Sequence, residues 1–168
     1  MSNDGEPRWL TPVERTTWLS ITELVMTLPG ALDTRLQQHA GITFYEYMVM
    51  AMLSEQDDRT LQLSELAELT SGSLSRLSHV LTRLERHGWV VRERSPHNAR
   101  ARIARLTPSG LAKVVATAPA HVNDVRELIF DALGEDDVPA LAQILGPVIE
   151  RVQPPGRPLR PNRGVGAG

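Results

Sequence analysis

The 168-residue chain contains no cysteine, so disulfides, thiolate metal sites and cysteine-based redox sensing are excluded. Aromatic residues make up only 4% of it, although its 41% apolar content is that of a globular protein. No run approaches the roughly 20 apolar residues that a membrane-spanning helix needs. Residues 1–8 lack the apolar core of a secretory signal. We therefore expect a cytoplasmic protein that does not bind a membrane.

Lysine is nearly absent too, since Lys113 stands alone against seventeen arginines. Eight arginines and only two acids fall within residues 71–105, a basic segment with a formal charge of +6. The whole chain carries −2, so the remainder carries −8. A GC-rich genome would also replace lysine by arginine, but it would not cluster the arginines. One basic face on an acidic body is typical of a protein that binds a polyanion at one place.

Two capping boxes predict where the first helices begin. Thr11 to Glu14 and Thr43 to Glu46 each place a threonine three residues before a glutamate, and apolar residues follow at spacings of three and four. Pro29-Gly30 is expected to break or kink the first helix.

The middle of the chain predicts two short helices and a hairpin. The predicted elements are a strand at 61–63, a short helix capped by Ser64, a turn at 70–73, a helix from about Ser73 to His87 ended by Gly88, and hairpin strands at 89–94 and 100–106. Two helices around a Ser/Gly turn, followed by a basic hairpin, describe a winged helix-turn-helix. The fold class is therefore mainly α (α+β), with a two-stranded wing.

The C-terminal third predicts a long helix after Thr107-Pro108, kinked near Pro119, and a last helix after the acidic residues 135–137. The final sixteen residues hold four prolines, four glycines and three arginines, a composition typical of disorder. The predicted regions are N-terminal helices at 1–42, a winged helix-turn-helix at 43–107, two helices at 108–152, and a disordered tail at 153–168.

The helix after the turn is amphipathic, and its two faces separate residues expected in the core from residues that are candidates for DNA contacts. Its expected buried face is Leu74, Leu77, Val80, Leu81 and Leu84. On the opposite face, Ser75, Arg76 and His79 are candidates for base contacts in the major groove, since the start of such a helix reaches base edges. Arg83 and Arg86 are candidates for phosphate contacts. The alternative is the solvated face of an ordinary small domain.

The hairpin tip is predicted to enter the minor groove, whose negative potential attracts arginine and protonated histidine. Its candidate residues are polar or basic, and with the helix they complete the predicted DNA-binding set. That set is Ser73, Ser75, Arg76, His79, Arg83, Arg86, Arg94, His97, Asn98 and Arg100. Because histidine titrates near pH ~6.5, a contact by His97 should strengthen as the pH falls. His97 as a simple turn residue is the alternative.

In three stretches the chain resembles the MarR family of bacterial transcription regulators. They are Leu63 to Ala67, Leu84 to Val90 and Arg105 to Gly110, and the resemblance runs from about Thr11 to Arg151. It implies a homodimer whose N- and C-terminal helices interlock, with two winged domains binding a pseudo-palindrome in double-stranded DNA.

The wing departs from the family pattern. Members usually carry Asp-x-Arg-Asp there, with the arginine in the minor groove, whereas this chain has Ser95-Pro96-His97-Asn98. The resemblance therefore implies a wing contact that is weaker, or more pH-dependent, than in other members. Arg100 is a candidate replacement anchor.

The resemblance also implies a small aromatic or acidic ligand, held in a crevice between the dimer helices and the winged domain. Trp18, Thr22, Tyr47 and Met48, on the first two helices, are the candidate lining residues, although such residue types pack cores more often. Without cysteine, the family's peroxide-sensing mechanism is excluded.

No catalytic motif is present, and the five histidines lack close metal-ligand spacing, so we expect neither an enzyme nor a metal or other cofactor. The resulting hypothesis is a sequence-specific, homodimeric DNA-binding regulator, more simply a repressor than an activator because occupying a promoter needs no activation surface. The alternatives are a winged-helix module that binds a protein partner and an architectural protein that coats DNA without sequence preference.

Overall fold

A computed structural model describes residues 7–96, 98 and 100–152 of the chain. Its elements, in chain order, are α1 (Pro12–Ala40), α2 (Phe44–Ser54), β1 (Thr60–Gln62), α3 (Leu63–Leu69), α4 (Leu74–Arg86), β2 (Val90–Arg94), β3 (Arg102–Leu106), α5 (Pro108–Leu128), a 3₁₀ turn (Phe130–Ala132) and α6 (Asp137–Val152). The fold is thus mainly helical with one small sheet, as predicted. The predicted tail at 153–168 lies outside the described residues.

Both predicted capping boxes form. Thr11 Oγ1 accepts a hydrogen bond from Glu14 N at 3.2 Å, and Glu14 Oε2 accepts one from Thr11 N at 2.8 Å. Thr43 and Glu46 repeat this exchange at the start of α2. These reciprocal bonds satisfy N–H groups that a helix start leaves unpaired.

Of the break or kink predicted at Pro29-Gly30, the break is wrong, because α1 runs through both residues without interruption. α5 likewise continues through Pro119. A proline inside a helix removes one backbone donor, but packing on either side can hold the flanking turns in place. In α1 that packing comes from the buried Leu32 and Leu36, which follow the proline.

The core lies around α2, whose Val49, Met50 and Leu53 are fully buried. They pack with leucines of α1, α3 and α4 and with apolar residues of the sheet and α5. α2 lies at the centre of this core and contacts α1, α3, α4 and α5. It therefore links α1 and α5 to the helix-turn-helix made by α3 and α4.

The sheet has three antiparallel strands in the order β1-β3-β2: the strand predicted at 61–63 forms as β1, and β2 and β3 are the predicted two-stranded wing. β3 is central, with Leu61 opposite Ala104 on one side and Val91 opposite Arg105 on the other. The predicted cap at Ser64 is also wrong, since α3 already begins at Leu63 and Gln62 occupies the N-cap position.

Two faces of the molecule expose many large apolar residues. One is the N-terminal half of α1 with the residues before it, and the other is α6, whose Ile144 is 66% exposed. No residue of α6 is buried within the chain. Helix faces that expose this many large apolar side chains are typical of sites of association.

Candidate nucleic-acid interface

α4 presents the polar face that its sequence predicts. Ser73 caps the helix, its Oγ accepting a hydrogen bond from Arg76 N at 3.2 Å. Ser75, Arg76 and His79 are exposed, while Leu77, Leu81 and Leu84 are buried on the opposite side. Because its hydroxyl caps α4, the predicted DNA-binding residue Ser73 has a structural role at the helix start.

Leu74 does not belong to the buried face as predicted, since it is 59% exposed. The first turn of α4 extends beyond the core, and the first α4 residue in the core cluster is Leu77. Val80 is only partly buried against the same cluster.

Arg76 lies against Tyr45 in the first turn of α2. Its guanidinium carbon is 4.1 Å from the centre of the Tyr45 ring, a cation–π contact. The Tyr45 hydroxyl is 3.0 Å from Thr70 Oγ1 in the turn between α3 and α4. Arg76 forms no ion pair within the described part of the chain.

Arg83 is paired with Glu46, the residue that follows Tyr45 in the sequence. Arg83 Nε lies 3.0 Å from Glu46 Oε1, and this glutamate is only 2% exposed. Glu46 Oε2 accepts hydrogen bonds from Thr43 N at 2.8 Å and from Thr43 Oγ1 at 3.0 Å. The predicted phosphate-binding arginine therefore also connects α4 to the start of α2.

Two further arginines of the basic segment stabilise the wing. Arg92 pairs with Glu85, and its guanidinium donates to Thr82 Oγ1 at 3.1 Å. The backbone N–H of Arg92 donates to the same glutamate at 3.0 Å, and these contacts with Arg92 hold the pKa of Glu85 below its usual value against the opposing effect of burial. Arg105 pairs with Glu93 across the two wing strands at 2.6 Å.

Five exposed arginines of the basic segment form no ion pair among residues 7–96, 98 and 100–152. They are Arg76, Arg86, Arg94, Arg100 and Arg102. Four of them, all except Arg102, are among the predicted DNA-binding residues. The charge available to a polyanion therefore lies on the exposed side of α4 and on the wing.

The described part of the wing tip is a compact turn. Ser95 N donates to Ala101 O, and Ala101 N donates to Asn98 O, both at 2.9 Å. Asn98 Oδ1 accepts a hydrogen bond from Arg100 N at 3.1 Å. The predicted contact residue His97 lies outside the described residues.

The wing also joins the start of α5 through close backbone contacts. Thr107 Oγ1 donates to Gly88 O at 2.7 Å, and Thr107 N donates to Trp89 O at 2.9 Å. A Cβ on Gly110 would lie 2.1 Å from Trp89 O, so only glycine allows this approach. The first turn of α5 is therefore packed directly on the residues that lead into β2.

The four predicted ligand-lining residues have different surroundings. Tyr47 is buried in the core, where burial raises the pKa of its hydroxyl. Trp18 is 57% exposed on α1, and the Thr22 hydroxyl donates to Trp18 O at 2.8 Å. Met48 is half-buried on α2. Tyr47 belongs to the core cluster, whereas Trp18 and Thr22 do not. The packing of the core therefore does not bring the four side chains together.

A group of charged residues between α1 and α5 was not predicted. Arg35 Nη1 lies 3.1 Å from Asp124 Oδ1 and 2.7 Å from Glu127 Oε2, while His39 Nε2 lies 3.6 Å from Asp124 Oδ1. The ring of His121 lies 4.5 Å from that of Tyr47, and burial lowers the pKa of His121 against the opposing effect of Asp124. Arg35 and His39 are four residues apart on α1, and Asp124 and Glu127 are three apart on α5, so each pair shares one face of its helix. This spacing is the sequence signal that could have predicted these contacts, which we call the α1–α5 polar cluster.

Within the described ranges, no three potential ligands are placed to hold a metal ion. Among those residues, no helix combines the length and apolar character needed to cross a bilayer.

Comparisons with known proteins point to one family. A family model for the MarR family matches residues 42–101. The chain is 40% identical to Sco3205, a MarR family transcriptional regulator from Streptomyces coelicolor crystallised in complex with DNA; the match covers 91% of this chain and 95% of that one, with a TM-score of 0.83. AbsC, a MarR family transcriptional regulator from the same organism, is 36% identical over 87% of this chain and 98% of its own, with a TM-score of 0.79.

A curated relative supports the same assignment. The HTH-type transcriptional regulator MhqR of Bacillus subtilis is 26% identical over 115 residues, which are 68% of this chain and 76% of that protein. Since two solved regulators match nearly the whole chain at more than 30% identity, with TM-scores of 0.83 and 0.79, the protein belongs to the MarR family of transcriptional regulators.

Proposed function

We propose that the protein is a sequence-specific repressor that binds a pseudo-palindromic operator as a homodimer. The observation that carries this proposal is the distribution of charge in the basic segment. Acidic partners hold Arg83, Arg92 and Arg105, whereas the arginines without such partners are exposed on α4 and the wing. A helix and a hairpin with free cations on the same segment suit the major and minor grooves of DNA.

In this proposal, residues 43–107 bind DNA, while 1–42 and 108–152 form the dimer. Support comes from the apolar surface that the N-terminal half of α1 and α6 expose, because a second copy would bury it. Two copies of α4 about one helical turn apart, or ~34 Å, would then contact successive major grooves.

Ser75, Arg76 and His79 are proposed to contact bases, since they lie exposed in the first half of α4. Arg86, Arg94, Asn98 and Arg100 are proposed to contact phosphates or the minor groove. Arg83 is proposed to contribute less than an arginine without an acidic partner, because it already forms an ion pair with Glu46.

His97 stands where the family usually has arginine, so the wing contact is proposed to depend on pH. Replacing His97 by arginine should tighten operator binding at pH ~7.5, where an unperturbed histidine is mostly uncharged, and replacing it by alanine should remove the pH dependence. Equal affinity of wild type and both variants at every pH would refute this contact.

Repression would follow from occupying DNA at a promoter in the cytoplasm. A small aromatic or acidic ligand between the dimer helices and the winged domain would release the operator by changing the distance between the two copies of α4. Trp18, Thr22, Tyr47 and Met48 remain the proposed lining, with Trp18 exposed on the α1 face that a partner would cover.

The experiment that tests the proposal is a selection of binding sites from random duplex DNA, followed by affinity measurements at two salt concentrations. A recovered pseudo-palindrome, bound roughly 10³-fold more tightly than random DNA and weakened by Arg76→Ala, is the expected result. Tight binding at low salt without a motif would instead indicate an architectural protein. The absence of any binding would favour a protein partner.

A further inference from the structure

We infer that Tyr45, which lies on α2 rather than on the DNA-facing helix, helps determine operator specificity by positioning Arg76. This inference rests on the proposed role of Arg76 in contacting a base. Tyr45 itself need not touch DNA, so we describe it as a positioning residue.

The contact between the two side chains leaves Arg76 able to read a base. The guanidinium carbon lies 4.1 Å from the ring centre, and such a contact involves the cation as a whole rather than one particular N–H group. No acid among the described residues pairs with Arg76. Its N–H donors therefore stay available for the two acceptors on a guanine edge.

The Tyr45 ring is fixed at its far end by a hydrogen bond. Thr70 Oγ1 donates its proton to Leu66 O at 2.7 Å, so towards Tyr45 it can only accept. The Tyr45 hydroxyl, 3.0 Å away, is therefore the donor. This bond connects α2 to the end of α3 and limits rotation of the ring.

The turn before α4 lies directly against the same hydroxyl. A Cβ built on Gly72 would be 1.8 Å from Tyr45 Oη, so the backbone of the turn and the ring leave no space between them. Ser71, with φ of +53°, and Gly72 bring the chain from α3 to α4 across this point. Tyr45 thus contacts both the turn that sets the start of α4 and the first charged side chain that α4 exposes.

The consequence for binding is preorganisation. A free arginine side chain loses much rotational freedom when it forms a bidentate contact, and that loss weakens binding. An arginine already held over a ring loses less. Glu46, the next residue of α2, holds Arg83 in a similar way by charge, so the first turn of α2 positions two arginines of α4.

The test uses the full chain, the selected operator and duplexes in which each half-site base pair is changed in turn. The measured quantity is the discrimination ratio, the Kd for a changed duplex divided by the Kd for the operator. Tyr45→Phe keeps the ring and should keep most of the ratio. Tyr45→Leu removes the ring and should lower the ratio by roughly threefold to tenfold at the position that Arg76→Ala no longer distinguishes.

Two further variants separate positioning from general damage. In the Arg76→Ala background, Tyr45→Leu should have no additional effect on the ratio. Arg86→Ala, the matched control, should weaken binding to all duplexes equally and lower the salt dependence by about one counterion per protomer. Thermal unfolding by circular dichroism checks folding, and Tyr45→Met, which fills the space without a ring, replaces Tyr45→Leu if that variant unfolds.

The outcomes are distinguishable. If Arg76→Ala lowers the ratio but Tyr45→Leu and Tyr45→Met do not, the positioning role of Tyr45 is overturned while the proposed function stands. If Arg76→Ala itself leaves the ratio unchanged, the base contact in the proposed function is wrong, and this inference is overturned with it.

Discussion

Arg92 and Arg94 are separated by one residue on β2, yet their surroundings differ. Arg92 is half-buried and contacts Glu85, Thr82 and Ser78 of α4, whereas Arg94 is exposed at the end of the strand. Side chains that alternate across a strand point to opposite faces. Arg92 and Arg94 are two residues apart and therefore lie on the same face of the sheet. Their burial differs because α4 lies beside Arg92 but not beside Arg94.

Arg92→Ala should therefore lower the free energy of unfolding by about 1–2 kcal/mol, because Glu85 loses a partly buried hydrogen-bonding partner. Arg94→Ala should change it by less than about 0.5 kcal/mol but should weaken DNA binding more at low salt than at high salt. Urea denaturation and binding titrations measure the two effects. Equal loss of stability in both variants would contradict the assigned roles.

Glu46 combines two contacts in one carboxylate, a cap for α2 and an ion pair with Arg83. Glu46→Gln should destabilise the protein by about 1–2 kcal/mol, since the neutral amide can still cap Thr43 N but loses the charge that pairs with Arg83. Urea denaturation measures this loss. Glu65→Gln is the matched control: Glu65 also accepts from a backbone N–H three residues earlier, that of Gln62, but pairs with no cation among the described residues, so this change should cost less than about 1 kcal/mol.

At the scale of elements, the sequence predicted where helices begin and end better than it predicted contacts between helices. Capping boxes and Gly88, with φ of +71°, act within a few residues, so their effect is visible in the sequence. The Arg83–Glu46 pair and the α1–α5 polar cluster join residues far apart in the chain, and only the folded packing brings them together. For the same reason, local rules predicted a break or kink at Pro29-Gly30, where the helix is in fact continuous. They also assigned Leu74 to the buried face, although it is exposed.

The burial of His121, which lies on α5 beside the Tyr47 ring, should make the stability of the protein depend on pH. Burial lowers its folded pKa below the ordinary 6.5, so the unfolded chain binds more protons as the pH falls through 6.5. Stability from this residue is complete above that pH and is lost progressively below it. Denaturation midpoints measured between pH ~7.5 and ~5 should fall for wild type and fall less for His121→Gln. The same slope in both proteins would show that His121 is not responsible.

At the scale of the whole molecule, the core surrounds α2, while α6 and the first half of α1 expose apolar side chains. A protein in water gains most from burying such faces by association. These two faces are therefore the expected surfaces of association.

Ile144→Asp should place a charge on the α6 face and shift the protein from dimer to monomer, with loss of operator binding. Analytical ultracentrifugation measures the first effect and a binding titration the second. Leu74→Gln, at an exposed leucine outside this face, should leave the dimer intact. A monomeric wild type, or a dimeric Ile144→Asp, would show that α6 is not the interface.

The backbone contact of Gly110 with Trp89 gives α5 the mechanics of a lever. The helix has 21 residues, so it is about 30 Å long, with one end seated on the base of the wing and the other leading to α6. Over that length, a tilt of only about 5° moves the far end by roughly 2.6 Å. A tilt of α5 as one rigid helix about this contact would therefore couple the position of the wing base to that of the residues leading to α6.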